Sequence, residues 1–302
     1  MPSVEIHTID LLFHEQEELI ACFLVRKGDA VILIECGAGS TLPGLTKGLA
    51  AHGLTPQDVT HVLVTHIHFD HAGAAGWLAQ QGAHVFVHHL GYKHLLDPSR
   101  LWDSASRIYG QDAMAQLWGE ILPINESSLT ELHDGDVIAI EGLEFLALDT
   151  PGHANHHHAF VLEDVIFTGD VAATCQPGFT HIRVPSPPPE FHLEKWLNSL
   201  ERLRQQDPKT LYLTHFGPFG EPQTFLNAVE TQLVSITEFL ESEWKQQKEE
   251  RDIVAAYYPW MRDRARAEGL DERGLSRYEM MASGDGNVRG ILRYLRKKAE
   301  QA

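Results

Sequence analysis

The run Val-Leu-Val-Thr-His-Ile-His-Phe-Asp-His-Ala-Gly, residues 62–73, carries the densest chemistry in the chain. His66 and His68 stand two apart where a β-branched apolar run ends, so extended backbone there sends both imidazoles to one side. Asp70 and His71 follow at once, where an Ala- and Gly-rich helix is expected to begin. Three imidazoles and a carboxylate converging from a tight loop are the donor types that suit zinc, iron or manganese. In a chain with 19 histidines a lone His-x-His reads as a polar loop. The full His-x-His-x-Asp-His spacing at a strand end reads as a metal site. A second stretch, TPGHANHHHAF at 150–160, places His153, His156, His157 and His158 behind a turn. From the residues alone it is a solvated loop, a metal-binding tract, or one important histidine with three lesser neighbours.

Periodicity supplies the elements that must hold these groups. IACFLVRK and AVILIECG flank Gly28-Asp29 as a hairpin. LTKGLAAHG reads as a short helix closed by Gly53, VTHVLVTH as a buried strand, AGAAGWLAQQG as one helix, and AHVFVHH as a strand again. Residues 89–120 offer helical spacing and no strand. From Ser128 two turn signals, Asp134-Gly135 and Glu141-Gly142, divide alternating runs into an expected β-meander. HHHAFVLE and VIFTGD form a further hairpin, FHLEKWLNSLERL an amphipathic helix with Leu193, Trp196, Leu197, Leu200 and Leu203 on one face, and TLYLTHFGP a strand. Two halves, 1–125 and 126–225, thus each run from strands into a helix, which suits two sheets packed face to face with helices outside. Residues 226–302 read as helical, with Gly284-Asp285-Gly286-Asn287 as their clearest break. Tyr257, Tyr258, Trp260 and Met261 read there as core or as a homodimer contact.

Composition narrows the function. With 302 residues, 43% of them hydrophobic, the chain can bury a large core. A formal charge of −18 opposes binding to a phosphate backbone, so no nucleic-acid partner is expected. The N-terminus lacks a basic segment followed by an apolar run, and no apolar stretch approaches the roughly 18 residues of a membrane helix, so the expectation is a cytoplasmic protein without a membrane partner. Cys22, Cys36 and Cys175 have no paired spacing and read as buried reduced thiols. CGAGS at 36–40 lacks the spacing of a nucleotide cradle.

Taken together these segments resemble the metallo-β-lactamase-fold metallohydrolases, whose signature is His-x-His-x-Asp-His behind a buried strand. LDTPGH, FTGD and LYLTHFGP match the family's other metal segments, in the family's order, and assign His153, Asp170 and His215. The resemblance covers most of residues 1–225. It implies an α/β fold, a four-layer αββα sandwich over 1–225, with a C-terminal helical extension over 226–302 packed on it. It implies further that His66, His68 and His153 hold one metal ion, that Asp70, His71 and His215 hold a second, and that Asp170 bridges them. The cofactor expected is two divalent ions, Zn2+ foremost, with Fe or Mn as alternatives. A hydroxide shared by such a pair would be the nucleophile, oriented by Asp70 as the catalytic residue. His156, His157 and His158 stay outside the ligand set, and Thr65 and Asp149 are candidates to orient ligands from behind.

The resemblance points toward lactonase- or glyoxalase-type thioesterase branches. Lactonase members carry a tyrosine three residues after the bridging aspartate, where this chain has Ala173. Flavodiiron members carry glutamate at the position of His68, which disfavours oxygen reduction. The expected activity is therefore binuclear hydrolysis of an ester, thioester or lactone bond in a small molecule. The alternative is a mononuclear iron oxidoreductase resembling persulfide dioxygenases.

Overall fold

A computed structural model describes residues 4–281 and 284–301. The first half contains β1 (Glu5–Asp10), β2 (Ala21–Lys27), β3 (Ala30–Ile34), α1 (Leu42–Ala51), β4 (His61–Leu63), α2 (Phe69–Ala72), α3 (Ala75–Gln80), β5 (His84–His88), α4 (His89–Leu96), α5 (Ser99–Tyr109), α6 (Gln111–Trp118) and β6 (Leu129–Leu132). The second contains β7 (Val137–Ile140), β8 (Leu143–Asp149), β9 (His158–Leu162), β10 (Val165–Phe167), α7 (Leu193–Gln205), β11 (Thr210–Leu213) and β12 (Gly217–Phe219). Four helices follow: α8 (Pro222–Lys245), α9 (Glu250–Ala267), α10 (Glu272–Met281) and α11 (Gly284–Glu300).

The strands form two six-stranded sheets, ordered β1-β2-β3-β4-β5-β6 and β12-β11-β10-β9-β8-β7. Alternation along each strand builds the layers. In β2, Ala21, Phe23 and Val25 join the core between the sheets, whereas Cys22 and Leu24 face α1 and α3 on the outside. In β9, Phe160 and Leu162 enter that central core, and Ala159 and Val161 face the helices of the second half. Both faces of these strands are buried, which explains why IACFLV and HAFVL are nearly unbroken apolar runs. The result is the αββα sandwich with a C-terminal helical region. Trp196, Leu200 and Leu203 of α7 share one buried cluster with Leu226, Leu233, Tyr257, Met261, Ile291 and Leu292, so the C-terminal helices complete the second sheet's outer core. Tyr257 and Met261 belong to that core, and Trp260 stacks on Phe239 at 4.4 Å.

Three local expectations change. The meander does not form: β6 pairs in parallel with β5 in the first sheet, β7 pairs with β8 in the second, and the Asp134-Gly135 turn, with Gly135 at φ 86°, carries the chain between sheets. The Ala-rich helix is two short helices, because Ala74 N–H donates to Gly37 O at 2.9 Å and so leaves the helical ladder. Gly284-Asp285-Gly286-Asn287 opens α11 and is not itself the break. β1 and β12 occupy the two outer edges and had no clear signal in the sequence. Among the described residues no helix is long and apolar enough to cross a membrane. All three cysteines are buried and unpaired.

One contact ties the last helix to the sandwich. Ser186 N–H donates to Oδ1 of the buried Asn287 at 2.8 Å. Gly290 presses against the same segment so closely that a Cβ there would lie 1.9 Å from Ser186 O. Gly290→Ala is expected to lower stability by about 1–3 kcal/mol, the usual cost of overpacking a tight seat. Denaturant midpoints measure this, and an unchanged midpoint would mean that α11 is not seated there.

Candidate metal centre

Each chemically active side chain stands just past the end of a strand. His66 and His68 follow β4, with His68 as the N-cap of α2, and Asp70 and His71 lie within α2. His153 follows β8, Asp170 sits in a 3-10 turn over Gly169–Ala172 behind β10, and His215 follows β11. Gly169, at φ 51°, is required for this approach: a Cβ would lie 2.4 Å from Thr65 Oγ1 and 2.8 Å from His157 Nε2.

All seven residues meet in one place, as two groups. In the first, Nδ1 of His68 lies 2.9 Å from Nε2 of His66 and 2.9 Å from Nε2 of His153. The three rings stand at 78–81° to one another. Thr65 Oγ1 gives its proton to Glu35, so it accepts from His66 Nδ1–H, and His153 Nδ1–H donates to Pro185 O at 2.8 Å. Both Nε2 lone pairs therefore point at His68, whose Nδ1 can offer a proton to only one of them. A cation satisfies all three nitrogens at once.

In the second group, Asp70 Oδ2 lies 3.7 Å from His71 Nε2 and 3.5 Å from His215 Nε2. Asp170 reaches both groups: Oδ1 is 3.3 Å from His71 Nε2 and from His215 Nε2, and Oδ2 is 3.3 Å from His153 Nε2. His215 Nδ1–H donates to Leu19 O at 2.8 Å, which turns Nε2 inward. Buried His71 Nε2 and Asp170 Oδ1 have no hydrogen-bond partner among the described residues. Orphaned donors and acceptors of this kind, in a set of imidazoles and carboxylates, fit a bound divalent metal.

Electrostatics separates the groups. Burial, reinforced by neighbouring imidazoles, holds His66 and His68 well below the usual histidine range, so both are neutral and ready to ligate. At His215 burial acts in the same direction, but the Asp170 and Asp70 carboxylates outweigh it and push the ring up to about 9. His71 is raised likewise, against burial, by Asp170, Glu35 and Asp70. Burial would raise both aspartates, yet the facing imidazoles bring Asp70 down to about 2 and hold Asp170 well below the carboxylate range.

Behind these residues lies Glu35, which the sequence reading overlooked. It is fully buried, has φ 65°, and accepts from Thr65 N–H at 3.1 Å, Thr65 Oγ1 at 2.5 Å, His71 Nδ1 at 2.8 Å and Thr214 Oγ1 at 3.2 Å. Its signal was a carboxylate directly after the apolar run AVILI. Thr65 thus orients His66 as expected. His157 donates to Thr150 Oγ1 and accepts from Asp170 N–H, pinning the Asp170 turn, and His156 Nε2 sits 3.5 Å from Glu190. Asp149 lies elsewhere, between His88 and His158, at 3.4 and 2.6 Å. That trio also brings metal-type donors together, with the His88 and His158 rings 4.3 Å apart and tilted by 35°. His88 Nδ1 also accepts from Leu90 N–H, which leaves the proton on Nε2. The trio sits at the ends of β5, β8 and β9, where Asp149 Oδ1 and both ring nitrogens of His158 have no hydrogen-bond partner among the described residues.

The profile of the metallo-beta-lactamase superfamily matches residues 17–215. A metallo-beta-lactamase fold-containing protein of Sulfurisphaera tokodaii is 25% identical over 195 residues, 62% of this chain and 73% of its own. The thioesterase pkgB of Emericella nidulans is 31% identical over 152 residues, 49% of this chain and 34% of its own, so the chain spans about a third of that fungal relative. Among solved structures, a metallo-beta-lactamase family protein from Thermus thermophilus superposes with a TM-score of 0.73 at 21% identity, covering 99% of this chain and 95% of its own. The profile match over both halves of the sandwich, ending at His215, places this chain in the metallo-beta-lactamase superfamily.

Proposed function

We propose that the protein is a binuclear metal-dependent hydrolase that cleaves an ester, thioester or lactone bond of a small molecule. The observation that carries this reading is the Asp170 carboxylate, whose two oxygens face two separate three-residue ligand groups. His66, His68 and His153 would hold one divalent ion, Asp70, His71 and His215 the other, with Asp170 shared. Zinc is the first choice for imidazole-rich sites of this kind. Bound there, the ions would supply Lewis acidity, lowering the pKa of a coordinated water and polarising the substrate's carbonyl.

The chain's own residues do the rest. Asp70, beside His71 and His215, is placed to accept a hydrogen bond from the attacking water and so aim it. Glu35 holds His71 through Nδ1 and fixes His66 through Thr65, so the ligand rings need not reorganise during the reaction. Among the described residues, the wall around the ligands holds no serine or cysteine aligned with a histidine base, so water is the natural nucleophile. The thioesterase relative supports an acyl-transfer substrate. A mononuclear iron oxygenase acting on a persulfide would leave the Asp70–His71–His215 group without a task. The acidic balance supports a small-molecule partner over nucleic acid.

Purified protein loaded with zinc is expected to hold about two ions per chain and to hydrolyse members of an ester, thioester and lactone panel. One iron per chain with oxygen consumption would overturn the reading. His68→Ala or Asp170→Ala should cut kcat/KM by about 100-fold or more while the apolar core keeps its unfolding transition. Equal turnover by either variant would remove the site from the chemistry.

Metal binding should also release protons. His71 and His215 are protonated at pH 7 in the metal-free protein, because their folded pKa values are raised, His215 to about 9. Zinc must displace those protons, so affinity strengthens as pH rises toward that value and weakens as pH falls. Calorimetry in two buffers of different ionisation enthalpy should report release of at least about two protons per chain at pH 7, one from each imidazolium, with any further release coming from the coordinated water. Zero release, or uptake, would contradict this protonation scheme.

A further inference from the structure

His215 is held on two flanks, and both supports lead to neighbouring residues of α10. On the main-chain flank, Cys175 N–H donates to His215 O at 2.7 Å, and Phe216 N–H donates to Cys175 O at 3.2 Å. Gln176, the next residue, gives its N–H to the Tyr278 hydroxyl at 3.0 Å, while that hydroxyl donates to His181 O at 2.6 Å. Tyr278 is buried with Leu275 in the outer core of the second sheet, which seats α10 in this place. On the ring flank, His215 Nδ1–H donates to Leu19 O, and Ala21 N–H donates to Thr214 O at 2.8 Å, so residues 19–21 lie alongside 214–215. Leu19 follows Glu18, whose φ of 63° is a left-handed backbone that persists only where neighbours fix it. Two contacts do so: Asp10 Oδ2 accepts Glu18 N–H at 2.8 Å, and Arg277 Nη1 donates to Glu18 Oε2 at 2.9 Å. The Arg277 side chain is only 12% exposed, which screens this pair less than an open surface pair.

We infer that α10 positions His215, Tyr278 acting through its main chain and Arg277 through its ring, so that this helix sets how tightly the Asp70–His71–His215 group holds its ion relative to the first group. The inference rests on the binuclear reading above. Arg277 and Tyr278 are positioning residues, since each acts on His215 through the segments it grips. The first group takes its support elsewhere, His66 from Thr65 and His153 from Pro185. A change at Arg277 or Tyr278 therefore reaches the two groups unequally. Because an imidazole is rigid, a displaced Leu19 O turns Nε2 away from Asp70 and Asp170, which face it at 3.5 and 3.3 Å. Loss of an outer hydrogen-bond partner of this kind weakens metal affinity by about 10–100-fold, and Arg277, one step further removed, belongs at the lower end.

The test titrates zinc into metal-free protein against a chelating competitor, with His68→Ala and His71→Ala assigning the two affinities to their groups. Arg277→Gln should weaken the second group's ion by about tenfold and leave the first within about twofold. Arg277→Lys should keep most of the affinity, since it keeps a cation beside Glu18. Arg277→Gln combined with Glu18→Gln should be no weaker than the worse single variant, because both break one pair. Tyr278→Phe should also weaken the second ion selectively. Arg262→Gln breaks the α9–α10 pair with Glu279 at 2.7 Å but touches neither support, and should leave both affinities within about twofold. Equal weakening of both ions in Arg277→Gln, an unchanged second ion, or an equal loss in Arg262→Gln overturns the proposal. A readout without metal separates it from the binuclear reading. Exchange of the His215 Nδ1–H with water, followed by NMR, should quicken in Arg277→Gln and not in Arg262→Gln. If wild type takes one ion yet this exchange depends on Arg277, the binuclear reading fails and the positioning role stands. Exchange indifferent to Arg277 removes that role.

Discussion

A single buried carboxylate that must face two sets of imidazoles constrains where four strands can end. Asp170 touches His153 through one oxygen and His71 and His215 through the other. That arrangement requires β4, β8, β10 and β11, drawn from both sheets, to stop at one level along the same rim. A sandwich of two sheets supplies such a rim, because the central core of Phe23, Phe145, Phe160 and Phe167 locks the sheets together below it. Packing in that core is intolerant of displacement, so ångström-scale placement of nitrogens at the rim follows from aromatic contacts well away from them.

These side chains are further held from behind, and the holders are as buried as they are. Glu35 accepts four hydrogen bonds from three residues on separate segments, which links the first sheet's β3 end to the β4 loop, α2 and the β11 end. A carboxylate deprived of water is stable there only because its acceptor positions are filled. The same logic explains the inner Nδ1 contacts of His153 and His215, each donated to a main-chain carbonyl. Each of these rings thereby has one nitrogen committed and the other directed inward.

Much of this was legible in sequence because it follows from short-range rules. Strand alternation in IACFLV and HAFVL, the turn at Gly28-Asp29 and the helical face Trp196–Leu200–Leu203 all depend on residues a few positions apart. The His-x-His-x-Asp-His run was equally local, and the family's segment order extended it to His153, Asp170 and His215. What escaped depended on partners distant in the chain. Whether LTEL joins the first sheet or the second is decided by β5, not by its own turn residues. The Ala-rich helix breaks because Gly37 captures Ala74, and Glu35 matters because Thr65, His71 and Thr214 arrive around it. The triple histidine was the hardest to apportion. All three members are engaged, but with Glu190, with Thr150 and Asp170, and with Asp149, and no spacing rule distinguishes those fates.

The seat of α11 on Ser186 carries a wider implication. Pro185, the neighbouring residue, is the one whose carbonyl holds His153, so the tail of the chain grips the peptide that steers this ring. The family profile ends at His215, yet the centre it describes is braced from some seventy residues beyond. A shift of this tail is therefore transmitted through the Pro185–Ser186 peptide to His153. A helix that contributes none of the seven clustered side chains thus helps set where one of them points.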